Sequence, residues 1–342
     1  MANENTPITM KDIAKALNVS VATVSRALKG SARISKEKRY LIRAYAEEHD
    51  FSPNVIAESL RNFKIKPTKV IGVIIPEFTH YYFASILSGI EEEASKRGYA
   101  LMVSQSSEEY EQEARICKIF LERKVCGVIV SQAKNTRQYE HFERLQKSGV
   151  PLVFYDRICT GIDASRVVVD DYQGAFNAVS HLINTGCRHI AFFGSPKNLE
   201  ISKNRYNGYR DALLQNKLEI KSEFIKVCDN RHDGEEVARD ILEGEHIPDA
   251  FFAVNDETAI GILTTAKRMG YRVPEDLSIC GFTNSNQSTA CDPMLTTVEQ
   301  RGNEVGRQAA LILINKVEGL TDKNTVEKRV VRTKLIVRET TR

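Results

Sequence analysis

The chain has 342 residues, of which 42% are hydrophobic and 27% are charged, a composition ordinary for a soluble globular protein of two or three domains. Residues 1–66 contain 12 Lys and Arg against 7 Asp and Glu, a net charge of +5, whereas the other residues contain 36 against 38, a net of −2. This asymmetry predicts a basic N-terminal module that binds a polyanion, beside a nearly neutral body.

The sequence disfavours several classes of protein. The seven cysteines are scattered beyond residue 100 without a C-x-x-C pair, which favours buried thiols in a reducing compartment over a disulfide framework or a zinc site. The stretch MANENTPITMKD lacks the pattern of a signal peptide, and no apolar run reaches the roughly 18 residues of a membrane span. We therefore expect a cytoplasmic protein without membrane contact, and with neither a metal ion nor a cofactor.

The first predicted helix begins after Thr9, which can act as its N-cap while Asp12 occupies the capping-box position. Asn18 tolerates left-handed backbone geometry and can end this helix. The side chains predicted to be buried are Ile13, Ala16 and Leu17.

The second predicted helix follows almost at once. Ser20 can cap it, and its apolar stripe consists of Val24, Ala27 and Leu28. Two short helices joined by a tight turn are typical of a helix-turn-helix. A third helix from Ser35 is predicted to complete a small core with Leu41, Ile42, Tyr45 and Ala46.

The outward face of the second helix carries mostly small side chains and one arginine, namely Val21, Ala22, Ser25 and Arg26. Small side chains allow a recognition helix to approach base edges in the major groove, and apolar ones fit against thymine methyl groups. Arginine can form two hydrogen bonds with guanine. Together with the basic charge, this face favours DNA binding, although any three-helix packing domain could contain such a stripe.

A linker with a conditional helix is predicted for residues 53–67. Pro53 can start a helix and Pro67 excludes one, which leaves about two turns that are too short to be stable alone. Ala57 and Leu60 are neighbours on this helix and have basic residues beside them, as a minor-groove wedge would require. Docking of Leu60 on the body of the protein is the alternative, and the spacing alone favours it.

From Val70 onward, short apolar strands alternate with amphipathic helices about every 30 residues, as in parallel α/β domains. Nine strands are predicted, which favours two similar lobes over one sheet. The expected fold is an all-α helix-turn-helix domain (1–52) and a hinge helix with linker (53–67), followed by an α/β core (68–342). The core is predicted to have two doubly wound parallel-sheet lobes, an N-lobe of about 68–167 and 301–332 and a C-lobe of about 168–300.

Specific motifs support this organisation. The stretch ITMKDIAKALNVSVATVSRALKG, followed by FSPNVIAESLR and KVIGVIIPEF, resembles the LacI/GalR family of bacterial transcription regulators. The resemblance continues through motifs such as FFAVNDETAIG and PMLTTVEQ, and covers essentially the whole chain. It implies a homodimer, a core like that of periplasmic binding proteins, and a regulator, expected to be a repressor, whose affinity for a palindromic operator is controlled by a small ligand.

The resemblance also implies functional residues. By motif position, three residues contact bases, four hold phosphates or orient the recognition helix, and Leu60 is the inserted leucine. With the cap residue Thr9 and the neighbouring Ala57, the predicted DNA-binding set is Thr9, Ser20, Val21, Ala22, Thr23, Ser25, Arg26, Asn54, Ala57 and Leu60. Glu58 departs mildly from the family pattern, in which a basic or neutral residue is common.

The resemblance places the ligand in the cleft between the lobes. The predicted ligand-binding set is Tyr82, Phe83, Asp156, Arg157, Arg205, Asn255, Asp256, Thr283 and Gln300. The mixture of carboxylates, an arginine and aromatic rings suggests a saccharide. Thr283 stands where the family commonly has an aspartate, and this loss of a negative charge leads us to expect acidic or phosphorylated sugars ahead of purines.

Other functions remain as alternatives. No G-x-G-x-x-G, Walker-type or G-x-S-x-G motif is present, so no catalytic residues are assigned. An exported solute-binding protein would share the core but not the N-terminal module. The main alternative is a cytoplasmic sugar-binding or sugar-processing α/β protein without operator specificity, which retention on DNA and the absence of turnover would distinguish. Because no C-terminal heptad pattern appears, a dimer is expected, and not a tetramer.

Overall fold

The structure, a computed structural model, describes residues 8–49, 51, 68–196 and 198–342. The chain divides into two compact units, Met1–Lys66 and Pro67–Arg342. Within the described ranges, no helix combines the length and the apolar character that crossing a membrane requires.

The N-terminal unit contains helices α1 (Met10–Ala16), α2 (Val21–Leu28) and α3 (Lys36–Glu48). The predicted caps are confirmed: Thr9 and Asp12 form a capping box, Ser20 accepts a hydrogen bond from the backbone N–H of Thr23, and Ser35 caps α3. Asn18 has a φ of 50°, the left-handed conformation expected at the turn.

The core of this unit confirms the stripe predicted for α2 and corrects two other expectations. Its buried side chains are Ile13, Ala14, Val24, Ala27, Ile42 and Ala46. Ala16 is exposed because α1 turns Ile13 and Ala14 inward, and Leu17 shares that face only in part. Leu41 is 55% exposed because α3 contributes the narrow stripe of Ile42, Tyr45 and Ala46.

The second unit contains two six-stranded sheets. The strands are β1 (Val70–Ile75), β2 (Ala100–Gln105), β3 (Gly127–Val130), β4 (Leu152–Tyr155), β5 (Ser165–Val169), β6 (Ile190–Gly194), β7 (Ile225–Val227), β8 (Ala250–Ala253), β9 (Ser278–Thr283), β10 (Thr296–Glu299), β11 (Lys328–Val331) and β12 (Lys334–Ile336). The N-lobe sheet has the order β11-β5-β4-β3-β1-β2 and the C-lobe sheet the order β12-β10-β9-β8-β6-β7. Every pairing is parallel except that of β10 with β12, so the predicted fold class is confirmed.

Helices cover both sheets. They are α4 (Tyr81–Lys96), α5 (Tyr110–Glu122), α6 (Glu140–Lys147), α7 (Asp171–Asn184), α8 (Glu200–Gln215), α9 (Arg231–Leu242), α10 (Asp256–Arg268), α11 (Gln287–Ala290) and α12 (Gly302–Val317). In the N-lobe, α4 and α12 pack with their backbones in close approach, since a Cβ atom added to Gly89 would lie 2.0 Å from the carbonyl oxygen of Asn303. Glycine at this crossing therefore permits the close packing of α4 against α12.

The chain passes between the lobes three times. It leaves the N-lobe after β5, returns between β10 and α12, and crosses again between β11 and β12. Residues 333–342, which lie outside both predicted lobes, add the antiparallel edge strand β12 to the C-lobe. Apart from β12, the strands within each lobe are parallel, so their carboxyl ends meet at one edge of the sheet. The loops at these edges of the two lobes line a common cleft.

Candidate functional site

A cavity of about 230 Å³ lies between the lobes, at the carboxyl ends of the strands. Open α/β sheets bind ligands at this edge. Eight of the nine predicted ligand-binding residues line it: Tyr82, Phe83, Asp156, Arg157, Arg205, Asn255, Thr283 and Gln300. Asp256 lies instead at a smaller adjoining cavity, where its carboxylate accepts hydrogen bonds from Thr297 Oγ1 and the backbone N–H of Ser285. The structure thus gathers the set, and the ligand contacts themselves stay predictions.

Arg205 forms one wall of the cavity and is held on three sides. Its Nε and Nη2 atoms lie 2.7 Å from Oδ1 of Asp171, and Nη1 donates to the carbonyl of Val254 at 2.6 Å. Its guanidinium carbon lies 4.0 Å from the centroid of the Phe282 ring. Burial raises the pKa of Asp171 to about 6, an effect that Arg205 opposes.

Asp171, which holds Arg205 at the cavity, is not among the residues predicted from the sequence. It is the first residue of α7, directly after the N-cap Asp170, and a carboxylate at that position has an ordinary explanation in the helix dipole. Only the folded chain brings it to Arg205, which lies 34 residues later on α8. The doubled aspartate before a helix is the one signal that could have drawn attention to it.

A second ion pair crosses the N-lobe side of the cavity. Nη1 of Arg157 lies 2.6 Å and 2.7 Å from the two carboxylate oxygens of Glu108, and its guanidinium lies 5.5 Å from the centroid of the Phe83 ring. Glu108 also accepts a hydrogen bond from the backbone N–H of Lys134 at 2.8 Å. The Lys134 ammonium in turn pairs with Asp229 at 2.9 Å. Glu108, Lys134 and Asp229 carry these contacts, and none of them was predicted.

Several buried polar groups at the cavity have no hydrogen-bond partner among the described residues. They are Oη of Tyr82, Nε of Arg157 and Nδ1 of His80. Asp156 is 4% exposed, makes no hydrogen bond through its carboxylate within the described ranges, and lies 4.0 Å from Arg157. Burial raises the pKa of Asp156, although Arg157 and Arg205 oppose the shift. A buried polar group without a partner is costly, so a ligand with hydroxyl groups would stabilise this arrangement.

Three further lining residues shape the C-lobe side. Asn255 caps α10 by accepting from the backbone N–H of Thr258 at 2.8 Å, and it donates to the carbonyl of Asp229 at 2.7 Å. Thr283 Oγ1 donates to Oε1 of Gln300 at 3.1 Å. The bond from Asn255 ties the loop after β8 to the loop after β7, and the bond from Thr283 ties the end of β9 to the loop after β10.

The predicted DNA-contacting face lies on α2 of the N-terminal unit. Ala22 and Arg26 are exposed, whereas Val21 and Ser25 are half-buried. Oγ of Ser20 accepts from the backbone N–H of Thr23 at 3.1 Å and lies 2.9 Å from its hydroxyl. The Arg26 side chain makes no hydrogen bond or ion pair with the part of the chain that the structure describes. Thr9 caps α1, and the predicted contacts Asn54, Ala57 and Leu60, with the neighbouring Glu58, lie outside the described residues.

Comparison with known proteins identifies the family. Residues 9–54 match the model for bacterial regulatory proteins of the lacI family, and residues 179–341 match the model for a periplasmic binding protein-like domain. Catabolite control protein A of Priestia megaterium is 32% identical over 95% of this chain and 96% of that protein. The chain belongs to the LacI family. It is therefore a DNA-binding transcriptional regulator, as the sequence motifs predicted.

Two further LacI-family comparisons are informative. The ribose operon repressor of Halalkalibacterium halodurans is 31% identical over 98% of this chain and 97% of that protein. A solved complex of the transcriptional regulator CelR with cellobiose matches with a TM-score of 0.74 and 26% identity, covering 97% of this chain and 99% of that chain. Both matches extend through the DNA-binding unit and the two lobes.

The charges in this LacI-family cleft weigh against the acidic or phosphorylated sugars that the replacement of an aspartate by Thr283 leads us to expect. Each cation that lines the cavity is already paired with a carboxylate: Arg205 with Asp171, Arg157 with Glu108, and Lys134 with Asp229. Five lining residues are acidic: Glu77, Glu108, Asp156, Asp229 and Glu257. The charge lost at Thr283 is outweighed by these carboxylates, so the cleft is better suited to a neutral or cationic ligand.

Proposed function

We propose that this LacI-family regulator represses transcription from a palindromic operator as a homodimer, and that a saccharide of about one ring controls its operator affinity. The polar atoms of the cavity that have no hydrogen-bond partner in the described part of the chain, Oη of Tyr82 above all, support a polyhydroxylated ligand. The volume of about 230 Å³ is smaller than the roughly 300–1,000 Å³ of sites for drug-sized ligands. The names of the ribose operon repressor and of the CelR–cellobiose complex support the same ligand class.

The dimer follows from the operator that we propose. A palindromic site presents two equivalent half-sites, and two recognition helices contact both when a two-fold axis relates the subunits. Binding of the saccharide would favour one arrangement of the lobes, and the dimer would transmit that preference to the DNA-binding units. The protein would act in the cytoplasm, where a bacterial operator lies, and would bind its ligand without catalysing a reaction.

The test joins ligand binding to operator binding in the full chain. A panel of monosaccharides is screened by thermal unfolding, because a ligand that binds only the folded state raises the melting temperature. An operator is selected from random DNA and titrated by electrophoretic mobility with and without the best ligand. A ligand that raises the melting temperature and changes operator affinity supports the proposal. A ligand that is chemically converted, or a protein that shows no preference among DNA sequences, contradicts it.

Tyr82→Phe is the matched variant for the site. The substitution removes only a hydroxyl that has no hydrogen-bond partner among the described residues, so we expect ligand affinity to fall while the melting temperature without ligand stays close to that of the wild type. Tyr206→Phe is the control, because that ring packs against Phe192 in the C-lobe and does not line the cavity. Equal effects of the two substitutions would contradict the assignment of the cavity.

A further inference from the structure

A second, smaller cavity of about 40 Å³ adjoins the ligand cavity. It is lined by Thr79, His80, Tyr81, Asp256, Glu257, Thr283, Ser285 and Gln287, and we call it the side pocket. Three residues line both cavities: His80, Glu257 and Thr283. A water molecule needs roughly 10–15 Å³ of such space, so the side pocket has room for about three non-hydrogen atoms. That is the size of one substituent of a sugar ring.

The polar atoms of the side pocket are incompletely bonded. Ser285 is 6% exposed, and its hydroxyl makes no hydrogen bond of good geometry with any described residue, although it lies close enough to the Asp256 carboxylate to lower the pKa of that group. Nδ1 of His80 also lacks a partner. Burial lowers the pKa of His80 to about 4, so the imidazole is neutral at pH 7 and adds no positive charge. A group that enters the side pocket would find a hydroxyl and an imidazole nitrogen available.

The side pocket is acidic. Asp256 is 1% exposed and Glu257 is half-buried, and neither carboxylate lies within 4 Å of a Lys, Arg or His nitrogen in the described ranges. Burial raises the pKa of both groups, and Glu77 and Asp256 raise that of Glu257 further. Arg338, the cation whose charge acts on Asp256, donates instead to Asn284, Ser288 and Leu295. One buried and one half-buried carboxylate, with no cation within 4 Å in the described ranges, favour a ligand group that donates hydrogen bonds and disfavour an anion.

We infer that the side pocket is a specificity subsite, which binds a hydrogen-bond-donating substituent of the saccharide ring. It prefers an amino group to a hydroxyl group, and it rejects a carboxylate or phosphate. The inference rests on the proposed function, since it takes the ring to lie in the larger cavity. Ser285, His80 and the Asp256 carboxylate would contact the substituent. Thr283 lines both cavities, so the bond that joins the sugar ring to its substituent would run past this side chain.

The test uses sugars that differ at one position only. D-xylose, D-glucose, 6-amino-6-deoxy-D-glucose and D-glucuronate share one ring and carry no substituent, a hydroxymethyl, an aminomethyl and a carboxylate group, respectively. A second series is L-arabinose, D-galactose, 6-amino-6-deoxy-D-galactose and D-galacturonate. Each sugar is titrated into the full chain by calorimetry. In at least one series we expect the amino sugar to bind about tenfold or more tightly than the unsubstituted ring, and the acid to bind most weakly.

Variants of the side pocket localise the effect. Ser285→Val fills the side pocket and removes the hydroxyl, whereas Ser285→Ala removes the hydroxyl alone. Gln287→Phe narrows the side pocket at its exposed wall. This second variant tests the side pocket even if Ser285→Val does not fold. We expect Ser285→Val or Gln287→Phe to abolish the preference for the substituted sugar and to leave binding of the unsubstituted ring unchanged. Ser278→Val, at the opposite end of β9, is the control for a buried serine and should keep the preference.

The outcomes separate this inference from the proposed function. An unsubstituted ring that binds as tightly as the amino sugar, or an acid that binds best, overturns the inference and leaves a saccharide ligand in place. A preference that survives both Ser285→Val and Gln287→Phe overturns it as well. If neither a sugar of these series nor any monosaccharide of the panel binds the wild type, the saccharide itself is contradicted, and the inference falls with it.

Discussion

Asp171 and Arg205 form a buried ion pair, in which Oδ1 of Asp171 accepts from Nε of Arg205 at 2.7 Å. The side chains are 2% and 7% exposed, respectively. The carbonyl of Val254 and the ring of Phe282 hold the same guanidinium. The orientation of Arg205 is therefore fixed before a ligand arrives, and binding would not have to order this side chain.

Removal of the Asp171 carboxylate should destabilise the core strongly. Asp171→Ala leaves the buried guanidinium of Arg205 without its counter-charge, and loss of one partner of a buried pair costs about 3–5 kcal/mol. Asp171→Asn should cost less, because it keeps a hydrogen-bond acceptor at that position. The free energy of unfolding is measured by urea denaturation, followed by circular dichroism. Glu92→Ala breaks the exposed pair with Lys96 and should change little, so equal losses in the two alanine variants would contradict the role of Asp171.

The same pair shows what the sequence could and could not predict. Both residues lie in stretches that resemble the family, but only Arg205 is assigned to the ligand from the sequence, because Asp171 acts through a contact that the packing of α7 against α8 creates. The long apolar strands were predicted because they are buried along their length. The strands β7, β11 and β12 were not, since they are short, lie at sheet edges and are half-exposed. Asp256 was predicted to line the main cavity, but its position depends on Ser285 and Thr297, which are distant in sequence.

His80 should make the core less stable in acid. Burial and three cations, Arg157, Lys134 and Arg205, lower its pKa from 6.5 to about 4. Between these values the unfolded chain binds more protons than the folded one, so stability falls as the pH falls from about 6.5 toward 4. We expect His80→Gln to reduce the loss of stability between pH 7 and pH 5 by roughly 2 kcal/mol. Urea denaturation at both pH values measures this difference.

His232→Gln is the control for the pH experiment. The side chain of His232 is 79% exposed and lies 3.5 Å from Glu236 on the surface. Its substitution should leave the acid-induced loss of stability as it is in the wild type. A His80→Gln variant that loses as much stability as the wild type between pH 7 and pH 5 would show that His80 is not the group responsible.

Arg26 should distinguish one operator base from the others. Its side chain is exposed on α2 beside Ala22, and an arginine that forms two hydrogen bonds with guanine contributes about 1–3 kcal/mol of discrimination. We expect Arg26→Ala to lose that amount on the selected operator, and to lose little on an operator in which that guanine has been replaced. Arg33→Ala, in the exposed segment between α2 and α3, is the control. Arg33→Ala should lower the affinity equally for every DNA sequence. An equal loss on every sequence for Arg26→Ala would mean that Arg26 contacts phosphate and not a base.

Lys134 joins the two lobes across the cleft. Its ammonium lies 2.9 Å from Asp229, and its carbonyl accepts from Asn198 Nδ2 at 3.2 Å, both partners being in the C-lobe. Apart from the crossover segments, the hydrogen bonds and ion pairs that join the lobes within the described ranges all involve Lys134. Its loop is held in turn by the buried carboxylate of Glu113, which accepts from the backbone N–H of Ala133 at 2.8 Å.

Loss of the Lys134 ammonium should therefore let the lobes separate. Lys118 and Glu236, which are exposed on opposite lobes, are replaced in the full chain by unnatural ketone residues, and a nitroxide is attached to each. The distance between the nitroxides is measured by double electron–electron resonance. We expect Lys134→Met to broaden the distance distribution, and Lys134→Asp combined with Asp229→Lys to restore it, because the exchange recreates the attraction with the charges reversed. Lys203→Met, which breaks an exposed pair within α8, should leave the distribution as in the wild type. An unchanged distribution in Lys134→Met would mean that the crossover segments alone hold the lobes together.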